Sequence, residues 1–211
     1  MKFIKSNTRQ SPLFLLRFLL VGCFLVLAIL ARNFPYFALD LQISETIQSI
    51  RHPLFSVVMN LVSELGDDYH LGIIVGLAVV LLLFAEMKME ALKAALFAAV
   101  SALAGTFIKL IVARPRPNSQ FVQIQEIFSD KSFPSLHVLI FTAFFGYMFY
   151  LALARVKTTW LKALLAFGSA FLILTIGVSR IYLGAHWASD TLGGYLVGAF
   201  FISFISDHAK R

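Results

Sequence analysis

The sequence predicts an all-α, polytopic membrane protein: a bundle of six transmembrane helices with short interfacial helices between the first and second, in one domain over residues 1–211. Three observations lead there. Hydrophobic residues make up 59% of the chain and charged ones only 14%, well beyond the roughly half-apolar make-up of soluble domains. The mean hydropathy is +0.84. Six apolar runs, at 13–31, 71–85, 91–112, 136–154, 161–178 and about 191–205, approach the roughly 20 residues needed to cross a hydrocarbon core about 30 Å thick. None shows the dyad alternation of membrane-spanning strands, which argues against a barrel.

The first run follows Lys2, Lys5 and Arg9 and resembles a signal peptide. Its length and the lack of a clean small-x-small cleavage site predict an uncleaved first helix, with Arg17 snorkelling to the interface. Cys23, the single cysteine, lies within it, so the chain forms no intrachain disulfide. In residues 40–65, Ile43, Ile47, Ile50, Leu54, Val58, Leu61 and Leu65 recur every three or four positions, interrupted by Pro53. That spacing predicts two short amphipathic helices at the outer interface. Glu64, Asp67 and Asp68 close the segment and are expected to cap helices or stay solvated, with His52 and His70 structural.

The second and sixth runs are short, so polar flanks or a locally thin bilayer must complete them. The third run meets Pro115 and Pro117, which remove two backbone donors and force the preceding residues out of helical geometry, so its helix stops near Ala113. A loop of about 20 residues follows, and loops of that length in compact domains are usually functional. The fourth run opens on Phe133-Pro-Ser-Leu-His137, and the fifth leads through Ser179–Asp190 into the sixth.

With the N-terminus inside, eleven of the eighteen basic residues face the cytoplasm. The positive-inside rule then puts both termini in the cytoplasm of a cell (inner) membrane protein and the 114–133 loop outside. The basic charge calls for no nucleic acid, because the aromatic residues lie within apolar runs and do not alternate with basic ones.

The residues able to do chemistry fall at helix ends. Ser135 precedes the fourth helix, a favoured N-cap position, where unpaired N–H groups and the positive dipole end attract anions. Read alone, the segment is equally a plain cap with a solvated His137. Lys109 lies two turns before Arg116 on roughly the same face; a lone lysine there snorkels, but Arg116 is held between prolines and its planar fork suits phosphate oxygens. His186 and Asp190, four apart, share a face at a helix start. The carboxylate can accept a hydrogen bond from one ring nitrogen, fixing the tautomer and leaving the other nitrogen free to attack an electrophile. A salt bridge would explain Arg180 and Asp190 but leave His186 without a role. All three clusters share the outer side, and together they offer what phosphoryl transfer needs: cations, a nucleophile and an acid.

Lys109…Arg116-Pro117, Pro134-Ser135-Leu136-His137 and Ser179-Arg180…His186…Asp190 resemble, in order and spacing, the three signatures of the type 2 phosphatidic acid phosphatase superfamily, Lys-x6-Arg-Pro, Pro-Ser-Gly-His and Ser-Arg-x5-His-x3-Asp. The resemblance covers roughly residues 71–205. It implies a six-helix bundle that hydrolyses a lipid phosphate or diphosphate at the outer membrane surface, with no metal or other cofactor. It further implies that His186 is the nucleophile, forming a phosphohistidine, and that Asp190 orients it. By the same resemblance His137 protonates the leaving oxygen, while Lys109, Arg116, Ser135 and Arg180 bind phosphate. One position departs: the signature glycine is Leu136, which gives up conformational freedom and close backbone approach. An ordinary helical position would keep its N–H available, so a reshaped pocket is expected, not a dead one. Lipid-to-lipid phosphotransfer would use the same residues. A non-enzymatic transport bundle fits less well, because the charges cluster at helix ends. Undecaprenyl pyrophosphate, phosphatidylglycerophosphate, phosphatidic acid and lipid A phosphates all remain candidate substrates, with polyprenyl diphosphates favoured by their frequency in the family.

Overall fold

The computed structural model describes residues 12–126 and 128–205, and only the backbone of Asp68. Among these residues there are eight α-helices and no strand. The six apolar runs become α1 (Pro12–Asn33), α4 (Asp68–Phe84), α5 (Lys88–Val112), α6 (Leu136–Arg155), α7 (Thr159–Tyr182) and α8 (Ala188–Ile202). The amphipathic segment becomes α2 (Ala38–Gln48) and α3 (Pro53–Glu64), divided where Pro53 opens α3, as suits a residue with fixed φ and no donor. Lys2, Lys5, Arg9, Lys210 and Arg211, on which part of the orientation rests, lie outside the described residues.

Helices α1, α5, α6 and α7 are long and apolar enough to cross a membrane by themselves. At 17 and 15 residues, α4 and α8 span only about 25 and 22 Å at 1.5 Å per residue. Their short runs announced this. The chain bends by 69° between α3 and α4, so α3 lies across the bundle end and does not extend α4.

Helix α6 is the hub. Two-thirds of its apolar stretch is buried, against none of α1, and α5, α7 and α8 pack around it. Val138, Leu139, Phe141 and Phe144 are at most 1% exposed. Helix α8 approaches α6 closely because it carries glycines on that face: a Cβ on Gly194 would stand 2.8 Å from Ser135 O, and one on Gly198 2.5 Å from Thr142 Cβ. Small residues let helix backbones approach in this way, and here they set the N-terminus of α8 beside that of α6. The large apolar side chains of α1, such as Phe18 at 72% exposure, face outward, as a lipid-facing helix requires. Arg17 turns to the far end of α8, donating to Ser203 O at 2.8 Å and covering the Phe204 ring at 4.1 Å.

The predicted stop of α5 is made at Ala113, whose φ of 54° is left-handed. That conformation costs an alanine roughly 1 kcal/mol. Its consequence is that Arg114 turns into the interior, where it is 1% exposed.

Candidate active site

The last turn of α5, the loop after it and the start of α6 bring the first charges together. Lys109 is buried; its ammonium pairs with Asp130 and donates to Lys131 O at 2.7 Å. Arg116 binds the same carboxylate, with Nε donating to Asp130 Oδ1 at 3.0 Å and Nη2 also in contact. Its Nη1 donates to Ala185 O at 2.7 Å and stands 3.3 Å from His186 Nε2. Burial pushes the Asp130 carboxyl up, but the hydrogen bond from Lys109 and the charges of Lys109 and Arg116 outweigh it and hold the group below its ordinary range. Arg180 is fully buried at the end of α7, hydrogen-bonded to Ser63 and to Glu126 Oε2 (3.1 Å), while its Nε and Nη2 have no partner. The Phe128 ring lies under both guanidiniums, at 4.4 Å from Arg116 and 4.9 Å from Arg180, a favourable cation–π arrangement.

The start of α6 departs from expectation in one respect. Ser135 occupies the N-cap with extended backbone, its carbonyl accepting from Leu139 N–H at 3.0 Å and its own N–H donating to Asp190 O at 3.1 Å. Its hydroxyl, however, makes no capping bond and is buried without a partner. A buried unpaired hydroxyl is costly, and beside the free N–H groups of a helix start it adds to an anion-attracting end. Leu136 is the first helical residue, as its available N–H requires. Its side chain fits against α5 because Gly105 is there: a Cβ on Gly105 would stand 2.7 Å from Leu136 Cδ1. Bulk lost as a glycine in α5 is thus regained as a leucine in α6. His137 has an unpartnered Nε2, 3.8 Å from Asp67 Oδ1, and Gly66 lies so close that a Cβ there would clash with the ring. Asp67, expected to be a cap or a solvated carboxylate, stands at the N-cap of α4 without a side-chain cap bond and faces His137.

His186 lies in the α7–α8 turn, which passes Gln123 O so closely at Gly184 (φ 70°) that no side chain fits. The ring is 1% exposed. Burial, and then the positive charges of Arg116, Lys109 and Arg180, push the imidazole well below its usual value, so it is neutral near pH 7. The direct hydrogen bond expected between His186 and Asp190 is not formed: Nδ1 and Oδ2 are 3.7 Å apart. The Ser132 hydroxyl lies beside the pair and reaches both, bonded to Asp190 Oδ2 and 3.5 Å from His186 Nδ1. The carboxylate is held elsewhere, by the Trp187 N–H at 2.9 Å, which caps α8, and by Arg114 Nη1 at 2.6 Å.

Lys109, Arg116, His137 and His186 line one cavity of about 460 Å³, with Asp130, Leu136 and Ile140 in its wall. Asp190 stands behind His186, while Ser135 and Arg180 do not line the cavity. Among the described residues no three His, Cys, Asp or Glu side chains are grouped as a metal-ligand set. Sequence reading passed over Arg114, Ser132, Asp40 and the approach of Asp67 to His137. The one available signal was Arg114 itself, a charge at the end of an apolar helix and fixed by Pro115.

The family model described as PAP2 superfamily matches residues 90–209, more than half of the chain. The chain is 24% identical over 192 residues to phosphatidylglycerophosphatase B of Bacillus subtilis, covering 89% of this chain and 93% of that one. It is 26% identical over 153 residues to an undecaprenyl-diphosphatase of Sulfolobus acidocaldarius, covering 71% and 68%. A 76-residue stretch, 36% of the chain, is 37% identical to the bacitracin transport permease protein BcrC of Bacillus licheniformis, but spans only 32% of that protein. In fold the chain is similar to the crystal structure of a transmembrane PAP2 type phosphatidylglycerolphosphate phosphatase from Bacillus subtilis, with a TM-score of 0.77 and 22% identity over 92% of this chain and 96% of that one.

Proposed function

Because the chain belongs to the PAP2 superfamily, we propose that this multi-pass membrane protein hydrolyses a lipid phosphate or diphosphate through a metal-independent phosphohistidine at His186. The observation that carries the proposal is the orientation of one ring. His186 turns Nε2 toward the Arg116 guanidinium in the cavity and Nδ1 toward Ser132 and Asp190. An Nδ1–H donating to the Ser132 oxygen, with the Ser132 O–H donating to Asp190, leaves Nε2 unprotonated and facing the cavity. There its lone pair accepts from Arg116 until a phosphate draws that guanidinium away and attack can follow.

In the first step Nε2 bonds to phosphorus and the bond from phosphorus to the leaving oxygen breaks. His137 gives that oxygen its proton. In the second step water attacks the phosphorus, the N–P bond breaks, and the water proton returns to His137. Lys109 and Arg116, which line the cavity, neutralise the transferring oxygens, while the buried Arg180, the α6 N-terminus and the Ser135 hydroxyl add to the positive field from behind its wall, which is electrostatic stabilisation at a preorganised site. Asp130 now sits on Lys109 and Arg116 as an internal anion, and a phosphate group takes its place on binding.

Polyprenyl diphosphates and phosphatidylglycerophosphate are the leading substrates, supported by likeness to the undecaprenyl-diphosphatase and to phosphatidylglycerophosphatase B. The basic-residue bias supports a site on the extracytoplasmic face of the cell membrane. The test is phosphate release by the purified protein from a panel of these lipids, with an acceptor lipid present. Free phosphate supports hydrolysis; label passing to the acceptor would establish transfer, and no turnover of any lipid would refute the function.

A further inference from the structure

Behind the nucleophile a second buried charge cluster joins Asp190, the last residue of the third signature, to Arg114 and Asp40, two residues that no signature position specifies. Arg114, 1% exposed, joins two carboxylates: Nη1 to Asp190 Oδ1 at 2.6 Å and Nη2 to Asp40 Oδ2 at 2.9 Å. Asp40, 2% exposed, accepts from Ser189 N–H and Ser189 Oγ, both at 2.8 Å, and from Phe37 N–H at 3.1 Å. The Phe37 ring covers the guanidinium at 4.9 Å. Taking such charges out of water is expensive, and apolar replacements are often at least as stable, so stability gives no reason for the cluster.

Its charge does. Arg114 alone would neutralise Asp190; Asp40 shares the guanidinium and leaves the buried trio with one net negative charge. That charge lies on the Nδ1 side of His186. As the Nε2–phosphorus bond forms and Nδ1 keeps its proton, the ring becomes positive, and a negative environment behind it stabilises that state. We infer that Asp40 and Arg114 are positioning residues of the reaction, Arg114 fixing the Asp190 carboxylate and Asp40 preserving its negative charge. Asp40 belongs to α2, outside the stretch matched by the family model, so an interfacial helix completes the site. The inference rests on His186 being the nucleophile.

The test compares Asp40→Asn, Arg114→Gln and Arg114→Lys in the purified full chain. The other charged groups acting on His186 are Lys109 of α5, Arg116 and Asp130 of the loop, His137 of α6, Arg180 of α7 and Asp190 of α8; all are unchanged in these variants. Asp40→Asn removes a negative charge and should move the acid limb of kcat/KM to lower pH. Arg114→Gln removes a positive charge and should move it to higher pH. Both should lower kcat on the order of tenfold to a hundredfold, the range for a misplaced catalytic group, with KM within about twofold and protection against unfolding by inorganic phosphate retained. Arg114→Lys should recover part of kcat. A purely structural pair would not move the two limbs in opposite directions. If Arg114→Gln fails to fold, Asp40→Asn, which keeps the side-chain shape, decides alone. Full kcat, an unmoved limb or loss of folding in Asp40→Asn would overturn the inference. Those results in an active wild-type enzyme leave the proposed function standing; an inactive wild type defeats both.

Discussion

His186 Nδ1 and Asp190 Oδ2 stand 3.7 Å apart, too far for a hydrogen bond, and the Ser132 hydroxyl bonds the carboxylate beside the ring. The four-residue spacing therefore sets up a histidine–aspartate pair, but a serine from the long loop connects it. Ser132→Ala should lower kcat by about tenfold, close to one neutral hydrogen bond. Asp190→Ala should cost far more, on the order of a thousandfold or beyond, because the ring loses its tautomer control. Phosphate release against lipid concentration checks both. A Ser132→Ala enzyme with wild-type kcat would show that the serine only fills space.

Asp130 competes with substrate for Lys109 and Arg116. Asp130→Asn should therefore tighten inhibition by inorganic phosphate and lower KM, by roughly three- to tenfold, as suits a half-exposed ion pair of modest strength. Its carboxyl is held below the ordinary range, so its contribution to stability is full above the usual carboxylate pKa and is lost as pH falls through the depressed one. Thermal unfolding should then fall off at acid pH less steeply in Asp130→Asn than in the wild type. Unchanged phosphate inhibition would contradict the competition.

Leu136 and Gly105 exchange bulk across the α5–α6 contact. Leu136→Gly should keep activity within about tenfold, some 1.4 kcal/mol of barrier. Gly105→Ala should push the leucine side chain into the cavity and raise KM, and adding Leu136→Gly should reverse much of that, a coupling a double-mutant cycle measures. Additive effects would show that the two positions are independent. Activity that arises only in Leu136→Gly would mark the native chain as a degenerate member of its family.

The orientation is tested with single cysteines at Gln123 and Thr158 in a Cys23→Ser background. An impermeant thiol reagent should label position 123 in intact cells and position 158 only after permeabilisation. The reverse pattern would place the chemistry on the cytoplasmic leaflet.

The helices were legible because each apolar run had a physical end: Pro53 divided α2 from α3, and the prolines after Arg114 stopped α5 near Ala113. Lys109, Arg116, His137 and His186 were legible because their spacings put them at helix ends on one side, and the fold brings them to one cavity. Arg114, Ser132 and Asp40 were not, since their partners lie 58 to 149 positions away in sequence and no local spacing encodes such contacts. Ser135 stands at the N-cap position the sequence indicated, but sequence gives the position of a hydroxyl and not its rotamer, and here the hydroxyl makes no capping bond.

The central claim is the covalent intermediate on His186. The most direct test is a rapid quench of the enzyme turning over a lipid labelled in its phosphate, in the presence of EDTA, followed by mapping of the protein-bound label. The account predicts an alkali-stable, acid-labile phosphoryl group on His186, absent from His186→Ala, which should also have lost turnover. Label on another residue, label that vanishes with the chelator, or turnover by His186→Ala would contradict it.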